Sequence, residues 1–201
     1  MQYLVDLDNT LLKTFTVKED GRKVFFWSKN LKKDLNINPD TLPMLFDCEF
    51  MQLLQRRIDV EPIVEKYLQT IGSSVTAADF LRYWLENNSL LNFEVWNWIK
   101  YRKSKGDVFH IASDQTILRM NYLWRRFTEW QYVFDKVFTS AKFNVVYKED
   151  EAFFRLILAE LNEKPQNICL IDDDVVNINS AAKVGINTIL FHNVEDLKIR
   201  L

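Results

Sequence analysis

The sequence is poor in the residues that define several specialised classes of protein. It has only two cysteines, Cys48 and Cys169, far apart along 201 residues. We therefore expect no disulfide-stabilised scaffold, and a reducing compartment is the simpler interpretation. There is no apolar run of about 18 residues, and no basic N-terminal segment followed by an apolar stretch. We expect a soluble, cytoplasmic protein with no membrane partner.

An excess of charge of one sign is also lacking. The chain carries 26 Lys and Arg against 28 Asp and Glu, a formal net charge of −2. Aromatic residues make up 14% of the chain. Because no basic stripe accompanies them, we interpret them as packing residues rather than as a stacking surface for bases. We expect no nucleic-acid partner.

What is present is an alternation of strands and helices. Residues 1–5 form a short apolar run, and from residue 107 apolar segments of strand length alternate with segments of helical periodicity. The predicted strands are 108–112, 135–138, 167–171 and 187–191, and the predicted helices are 113–123, 150–162 and 177–184. This alternation predicts right-handed βαβ units and a parallel sheet.

A long segment with a different pattern separates the first strand from the others. Residues 41–105 are predicted to form successive helices, the first with apolar residues at helical spacing over 45–54. Thr76 and Asp79 resemble a capping box, and Asn92 is placed to cap a helix through Ile99. The predicted fold is α/β, a Rossmann-like parallel-sheet core with an inserted, mostly helical cap subdomain. Its predicted parts are the core, 1–13 and 107–201, and the cap, 14–106.

Asp6 and Asp8 follow the first predicted strand. Side chains two residues apart point to the same side of a strand, so these carboxylates are expected to project together. Two carboxylates that close repel each other unless a cation lies between them or one is protonated. Carboxylate oxygens suit Mg²⁺. A turn at the end of the strand is the alternative, since Asp and Asn are common turn residues.

Other polar residues occur where later strands are predicted to end. They are Ser113, Lys148 in segment 146–148, and the pair Asp172 and Asp173. The carboxyl ends of parallel strands meet at one edge of a sheet, where ligands bind. Burying several carboxylates together costs free energy without a metal. Alternatively, Ser113 is only the N-cap of a helix, and Lys148 is only a solvated surface residue.

Together these residues resemble the four-motif set of the haloacid dehalogenase-like (HAD) hydrolase superfamily, over residues 1 to about 192. They are closest to its phosphatase branch, which has a helical cap between motifs one and two and a double Asp in motif four. The matching residues are Asp6-x-Asp8-x-Thr10, Ser113, Lys148, and Asp172-Asp173 followed by Asn177. Arg119 also lies where that branch tends to have arginine.

The resemblance implies a role for each of these residues. Asp6 would be the nucleophile that forms an aspartyl-phosphate, and Asp8 the general acid and base. Mg²⁺ would be held by Asp6, the backbone carbonyl of Asp8, and Asp173. Ser113, the backbone of Asp114, and Lys148 would bind the phosphoryl group. Supporting roles would fall to Thr10, Asp172 and Asn177.

The chain departs from the family pattern at two places. Relatives usually have Pro after the motif-three Lys, whereas Glu149 and Asp150 follow Lys148, which makes Lys142 a competing candidate. Relatives also tend to have Asn where this chain has Asp114. Two acids after Lys148 and one beside Ser113 would lower the positive potential for an anion, so slower turnover or a narrower substrate range is expected.

The expected function is that of a Mg²⁺-dependent phosphatase acting on a small-molecule phosphate ester. As the resemblance has it, dehalogenases lack an acid two residues after the nucleophile, so Asp8 favours a phosphate ester over a carbon–halogen bond. A phosphomutase on the same core, or a HAD-fold binding protein with little turnover, are the alternatives. Specificity is expected from cap residues among Phe15, Trp27, Phe46 and Phe50. The protein is expected to be a monomer or a homodimer.

Overall fold

The computed structural model describes residues 1–21, 23–46, 60–143 and 147–199. The strands are β1 (Gln2–Val5), β2 (Leu12–Lys13), β3 (Phe15–Val17), β4 (Lys23–Phe25), β5 (Leu90–Leu91), β6 (Val108–Ser113), β7 (Phe134–Thr139), β8 (Ile168–Asp172) and β9 (Asn187–Leu190). The helices are α1 (Leu31–Leu35), α2 (Glu61–Thr70), α3 (Ala77–Asn87), α4 (Phe93–Ser104), α5 (Ile117–Arg126), α6 (Trp130–Val133), α7 (Ser140–Phe143), α8 (Glu151–Leu161), α9 (Val175–Lys183) and α10 (Val194–Ile199). Short 3₁₀ helices span Phe26–Ser28, Pro39–Met44 and Pro165–Asn167.

Within the described residues, a parallel sheet of five strands in the order β7-β6-β1-β8-β9 forms the centre of the fold. The chain passes from β1 to β6 and β7 on one side, and then crosses to β8 and β9 on the other. This reversal makes a topological switch point beside β1, where ligands bind in open α/β sheets. The predicted α/β, Rossmann-like core is confirmed.

Both faces of the sheet are covered by helices, which is why its strands are apolar at successive positions. On one face, Tyr3 and Phe109 pack with residues of α4 and α5. On the other, Leu4 and Leu170 pack with residues of α8 and α9. His110 is 2% exposed and its Nε2 lies 2.9 Å from Gln2 Oε1, as expected for a packed, hydrogen-bonded histidine.

The insertion has a separate apolar cluster, contributed by the 3₁₀ segment at Phe26–Ser28 and by α1, α2 and α3. The Thr76 cap is confirmed, since its Oγ1 accepts a hydrogen bond from Asp79 N at 3.1 Å. The helix predicted over 45–54 falls mostly on residues outside the described ranges, Phe50 among them.

Helix α4 lies within the predicted cap, 14–106, yet it packs into the same apolar cluster as Tyr3 of the central sheet. The Trp98 ring lies 5.5 Å from that of Tyr3 and 5.8 Å from that of Phe109. Asn92 is the N-cap residue of α4, as predicted, but its side chain makes no capping hydrogen bond. Its amide nitrogen donates instead to Thr10 O at 3.2 Å. This hydrogen bond gives the Thr10 carbonyl, which lies outside the central sheet, a donor.

Two predicted boundaries also change. Ser113 is the last residue of β6 and does not cap a helix. The N-cap of α5 is Thr116, three residues later, and its Oγ1 accepts a hydrogen bond from Arg119 N. Lys148 lies in a turn before α8, and the residues just ahead of it, at 144–146, where a strand leading to it would run, lie outside the described ranges. No helix of the described ranges has the length and apolar content needed to cross a bilayer.

Candidate active site

The residues singled out from the sequence converge beside the switch point. Asp6 follows β1, while Ser113 and Asp172 are the last residues of β6 and β8. Seven of the predicted site residues line one cavity of about 660 Å³: Asp6, Asp8, Ser113, Asp114, Lys148, Asp173 and Asn177. The other two, Thr10 and Asp172, are fully buried.

Lys148 and three carboxylates form a buried charged cluster, here defined as Asp6, Lys148, Asp172 and Asp173. The Lys148 ammonium lies 2.5 Å from Asp6 Oδ1 and 2.7 Å from Asp172 Oδ2. Burial alone would lower the pKa of Lys148, but the charges of Asp172 and Asp6 outweigh burial and raise that pKa above its ordinary value. Lys148 is therefore a cation at every physiological pH.

Asp172 accepts more hydrogen bonds than the other two carboxylates of the charged cluster. Besides Lys148, it accepts hydrogen bonds from Asn177 Nδ2 at 3.1 Å and from Asp174 N at 2.9 Å. Asp174 in turn caps α9, with its side chain accepting from Val176 N. The start of α9 thus fixes the carboxylate at the end of β8.

The donor set of the charged cluster fits a divalent cation. Carboxylate oxygens of Asp6, Asp172 and Asp173 all lie within 4.8 Å of one another. Burial raises the pKa of Asp6 well above its usual range; burial and the charge of Asp172 raise the pKa of Asp173 to about 6. When all three carboxylates are ionised, the single ammonium leaves two negative charges to neutralise. Oxygen ligands with that excess charge suit Mg²⁺.

Asp8 has a different environment from Asp6, although only Leu7 lies between them in the sequence. Its Oδ1 and Oδ2 each lie 2.7 Å from a guanidinium nitrogen of Arg119, and Gln115 Nε2 donates to Oδ2 at 2.6 Å. Burial alone would raise the pKa of Asp8, but Arg119 and Gln115 hold it below the usual value. Neighbouring carboxylates with opposite pKa shifts are suited to different chemical roles.

Arg119 also contacts the insertion. Its Nη2 donates to the carbonyl of Asn88 at 3.2 Å, and its guanidinium carbon lies 5.9 Å from the centre of the Trp84 ring. Both residues belong to α3 or its C-terminal end. Arg119 therefore connects a carboxylate of the core with a helix of the insertion. The sequence singled out Arg119 by position alone and gave no signal for Asn88 or Gln115.

Asp114 stabilises the loop that carries Lys148. Its carboxylate oxygens lie 3.2 and 3.3 Å from Lys148 N, so the acid that departs from the family pattern has a structural partner. Burial raises the pKa of Asp114, although the charge of Lys148 opposes this. The Ser113 hydroxyl is buried nearby and accepts from Gln115 Nε2 at 3.3 Å.

The acids after Lys148 lie away from the cavity. Asp150 caps α8 by accepting from Ala152 N at 2.8 Å, and Glu149 is exposed. Lys142, the competing cation, pairs with Glu160 at 2.9 Å, and it is not among the residues that line the cavity. Lys148 is thus the lysine next to Asp6.

The part of the cavity that the insertion lines is mostly apolar. The insertion contributes a group of side chains that we call the aromatic wall: Phe15, Val17, Phe25, Trp27, Phe46 and Trp84. Three of the four predicted specificity residues lie in this wall, and the fourth, Phe50, is outside the described residues. Phe25 and Trp84 were not predicted to line a site, because an aromatic residue at helical or strand spacing reads as packing.

Comparison with known sequences gives one short match. No protein-family model matches the chain. A segment of 69 residues is 32% identical to drimenol cyclase drtB of Aspergillus calidoustus. That match covers 34% of this chain and 13% of the cyclase, so the chain aligns with only about an eighth of the length of that curated relative.

Comparison with solved structures covers nearly the whole chain. A HAD family enzyme from Bacteroides thetaiotaomicron, in complex with magnesium and inorganic phosphate, has a TM-score of 0.70 at 16% identity, over 93% of this chain and 91% of that one. A HAD-like family hydrolase from Porphyromonas gingivalis has a TM-score of 0.71 at 19% identity, over 99% and 96%. A dehalogenase has a TM-score of 0.70 at 14% identity, over 100% and 96%. Likeness at these identities reports a common fold.

Proposed function

We propose that this chain, which has the HAD-like fold, is a Mg²⁺-dependent phosphatase that hydrolyses a small phosphomonoester through an aspartyl-phosphate on Asp6. One observation carries the proposal: Asp6 lies in a buried cluster with a lysine and two further carboxylates, at the switch point of the sheet. Crystals of a structural relative with magnesium and inorganic phosphate support the same chemistry.

In the first step, a carboxylate oxygen of Asp6 attacks phosphorus, an acyl-phosphate bond forms, and the bond to the ester oxygen breaks. The departing oxygen takes a proton from the carboxyl group of Asp8, which enters this step protonated and leaves it ionised. The Lys148 ammonium and the Ser113 hydroxyl both line the cavity and donate hydrogen bonds to the transferring phosphoryl group. Mg²⁺, held by Asp6 and Asp173, would neutralise the negative charge of the carboxylates and of the phosphoryl oxygens.

In the second step, water hydrolyses the aspartyl-phosphate and returns Asp6 to its free form. Asp8 lines the same cavity and is held ionised by Arg119, the state needed to take a proton from that water. An ester oxygen leaves as a strong base and needs a proton, whereas a halide does not. An ionisable group at Asp8 therefore favours a phosphate ester over a carbon–halogen bond.

A HAD-fold binding protein with little turnover is the second candidate. It is favoured by the three hydrogen bonds that Asp8 accepts from Arg119 and Gln115, since an acid in the first step must carry a proton. Such a protein would bind phosphate esters in the same cavity without releasing phosphate.

Phosphate release from a panel of phosphomonoesters tests the proposal, with Mg²⁺ or with chelator, for wild type, Asp6→Asn and Asp135→Asn. We expect turnover that requires Mg²⁺ and falls by more than about a thousandfold in Asp6→Asn. Asp135 is a matched control, because it pairs with Lys103 and does not line the cavity. Acid-quenched wild type should carry a covalent phosphate that is absent from Asp6→Asn. Equal activity of the two Asn variants, or binding without turnover, contradicts the proposal.

A further inference from the structure

Four side chains of the aromatic wall form a continuous surface of rings. The Phe25 ring lies 5.9 Å from that of Phe15, 5.2 Å from Phe46 and 6.2 Å from Trp27. Phe15, Phe25 and Phe46 are only half-buried, and all of them line the cavity. Their remaining surface is therefore available to a ligand.

The polar groups that the insertion adds to the cavity are few, and most of them are paired or buried. Trp27 Nε1 and Asn88 Oδ1 have no hydrogen-bond partner among the described residues, but both atoms are shielded from solvent. The Thr14 hydroxyl donates to Asn9 Oδ1 at 2.9 Å, and the Asn88 carbonyl accepts from Arg119. The Lys23 ammonium lies 4.5 Å from the centre of the Phe15 ring. A sugar carries a hydroxyl on nearly every carbon, and each hydroxyl that leaves water without a partner costs free energy. Apart from the Lys23 ammonium, this side of the cavity therefore offers few accessible partners to a polyhydroxylated ligand.

The size of the cavity points in the same direction. Its volume of about 660 Å³ lies within the range of small-molecule sites, and the phosphoryl group at the charged cluster fills only part of it. The rest of the space, lined by the aromatic wall, is available to the group esterified to phosphate.

We infer that the substrate is a phosphomonoester of an apolar alcohol, an alkyl or aryl phosphate rather than a sugar phosphate. The inference rests on the proposed function, because the phosphoryl end is assigned to the charged cluster. The apolar body lies against Phe15, Phe25 and Phe46, and its burial there supplies binding free energy in proportion to the area removed from water.

Binding of phosphonates that cannot be hydrolysed tests the ligand class apart from catalysis. Dissociation constants of ethyl-, propyl-, butyl- and hexylphosphonate are measured by calorimetry with Mg²⁺ present, with 2,3-dihydroxypropylphosphonate as the polar match for the propyl compound. We expect about two- to fourfold tighter binding per methylene, and weaker binding of the dihydroxy compound than of its match. Affinity that is independent of chain length, or that favours the dihydroxy compound, overturns the inference.

A pair of variants tests whether the aromatic wall is the surface responsible. Phe15 lines the cavity and lies outside the apolar clusters of the described residues, so Phe15→Ala is expected to fold. Phe26 is in the same hairpin region but is 44% exposed and does not line the cavity, which makes Phe26→Ala the control. We expect the ratio of hexyl to ethyl affinity to fall about fivefold or more in Phe15→Ala and to stay unchanged in Phe26→Ala. Equal ratios in the two variants overturn the assignment of the wall.

Hydrolysis of hexyl phosphate and glycerol phosphate separates this inference from the proposed function. Turnover of both, with glycerol phosphate preferred, leaves the phosphatase in place and overturns the apolar substrate. Chain-length-dependent binding without phosphate release overturns the phosphatase and leaves the apolar ligand. Faster hydrolysis of hexyl phosphate, lost with chelator, supports both.

Discussion

The two sides of the cavity differ in chemistry and in how firmly they are held. The charged cluster is attached to ends of central strands and to a tethered turn, and Asp6, Lys148 and Asp172 are each less than 5% exposed. The aromatic wall lies on the two short strands β3 and β4, the 3₁₀ helix Phe26–Ser28, α3, and the residue Phe46 that follows another 3₁₀ helix. Several of its rings are half-buried. Groups that react need fixed geometry, whereas an apolar surface selects by area and tolerates variation.

The largest effect is expected where the charged cluster loses its cation. Lys148→Met leaves Asp6 and Asp172 buried without a counter-charge, so we expect a loss of about 3–5 kcal/mol in the free energy of unfolding and no detectable turnover. Lys142→Met removes a surface pair with Glu160 and should cost less than about 1 kcal/mol. Denaturant unfolding in chelator measures both. Similar losses would show that the cluster does not depend on Lys148.

A smaller effect is expected where the two sides meet, at Arg119. Arg119→Met leaves Asp8 without its bidentate partner and breaks the bond to Asn88, for an expected loss of about 2 kcal/mol and a fall in kcat of about 10- to 100-fold. Arg119→Lys keeps the charge but cannot pair with Asp8 through two nitrogens. Its stability and its kcat should therefore lie between those of wild type and those of Arg119→Met.

The control for Arg119 is Arg126→Met, in the same helix. Arg126 is exposed and bonds only the Tyr122 hydroxyl among the contacts described for it, beside its stacking on Phe127. Steady-state kinetics should show its kcat within about twofold of wild type. If Arg119→Met changes KM alone, Arg119 serves the binding surface and does not position Asp8.

Asn9 stabilises the connection between the loop that carries Asp6 and Asp8 and strand β3 of the aromatic wall. It has φ of +58°, and its Oδ1 accepts from Thr14 N, Thr14 Oγ1 and Phe15 N. Asn9→Ala loses these bonds and strains a left-handed backbone, so we expect a loss of about 2 kcal/mol; Asn9→Gly keeps the backbone and should lose about 1 kcal/mol. Thermal unfolding measures both. Equal losses would show that the conformation contributes nothing.

The sequence predicted the charged cluster better than it predicted the aromatic wall, and the reason is physical. Asp6, Ser113 and Asp172 follow apolar strands, and parallel strands bring such ends together wherever the helices between them lie. Asn88 reaches Arg119 across 31 residues through tertiary packing that leaves no local pattern. Phe25 and Trp84 look the same in the sequence whether they face a core or a cavity.

Capping residues show a similar limit at the scale of one helix turn. Ser113 and Thr116 both fit an N-cap pattern, and the choice depends on how far β6 extends. From the sequence, Asp114 is predicted to weaken an anion site. Its hydrogen bond with the backbone of Lys148 joins segments 34 residues apart, so no local pattern reveals that structural role. Roles set by loop packing were therefore not readable from spacing.

The smallest expected effect lies behind the site, at His110. Burial lowers the pKa of His110 to about 4, with Asp135 opposing and Lys136 and Lys103 adding to the shift. Its unfolded pKa is near 6.5, so between about pH 6.5 and 4 the unfolded chain binds the extra proton. The stability that neutral His110 contributes is complete above pH 6.5 and is lost as the pH falls toward 4.

His110→Gln keeps a donor for Gln2 Oε1 and does not titrate, so it isolates this contribution. Carboxyls with raised pKa values, Asp173 among them, gain stability on acidification over part of the same range and partly mask the effect in wild type. The quantity to measure is therefore the difference in unfolding free energy between wild type and His110→Gln. We expect the unfolding free energy of wild type to fall steadily relative to that of His110→Gln as the pH is lowered from 6.5 to 4. A difference that is constant with pH would mean that His110 is solvated well enough to titrate normally, and that the sheet beneath the charged cluster is less dry than its packing indicates.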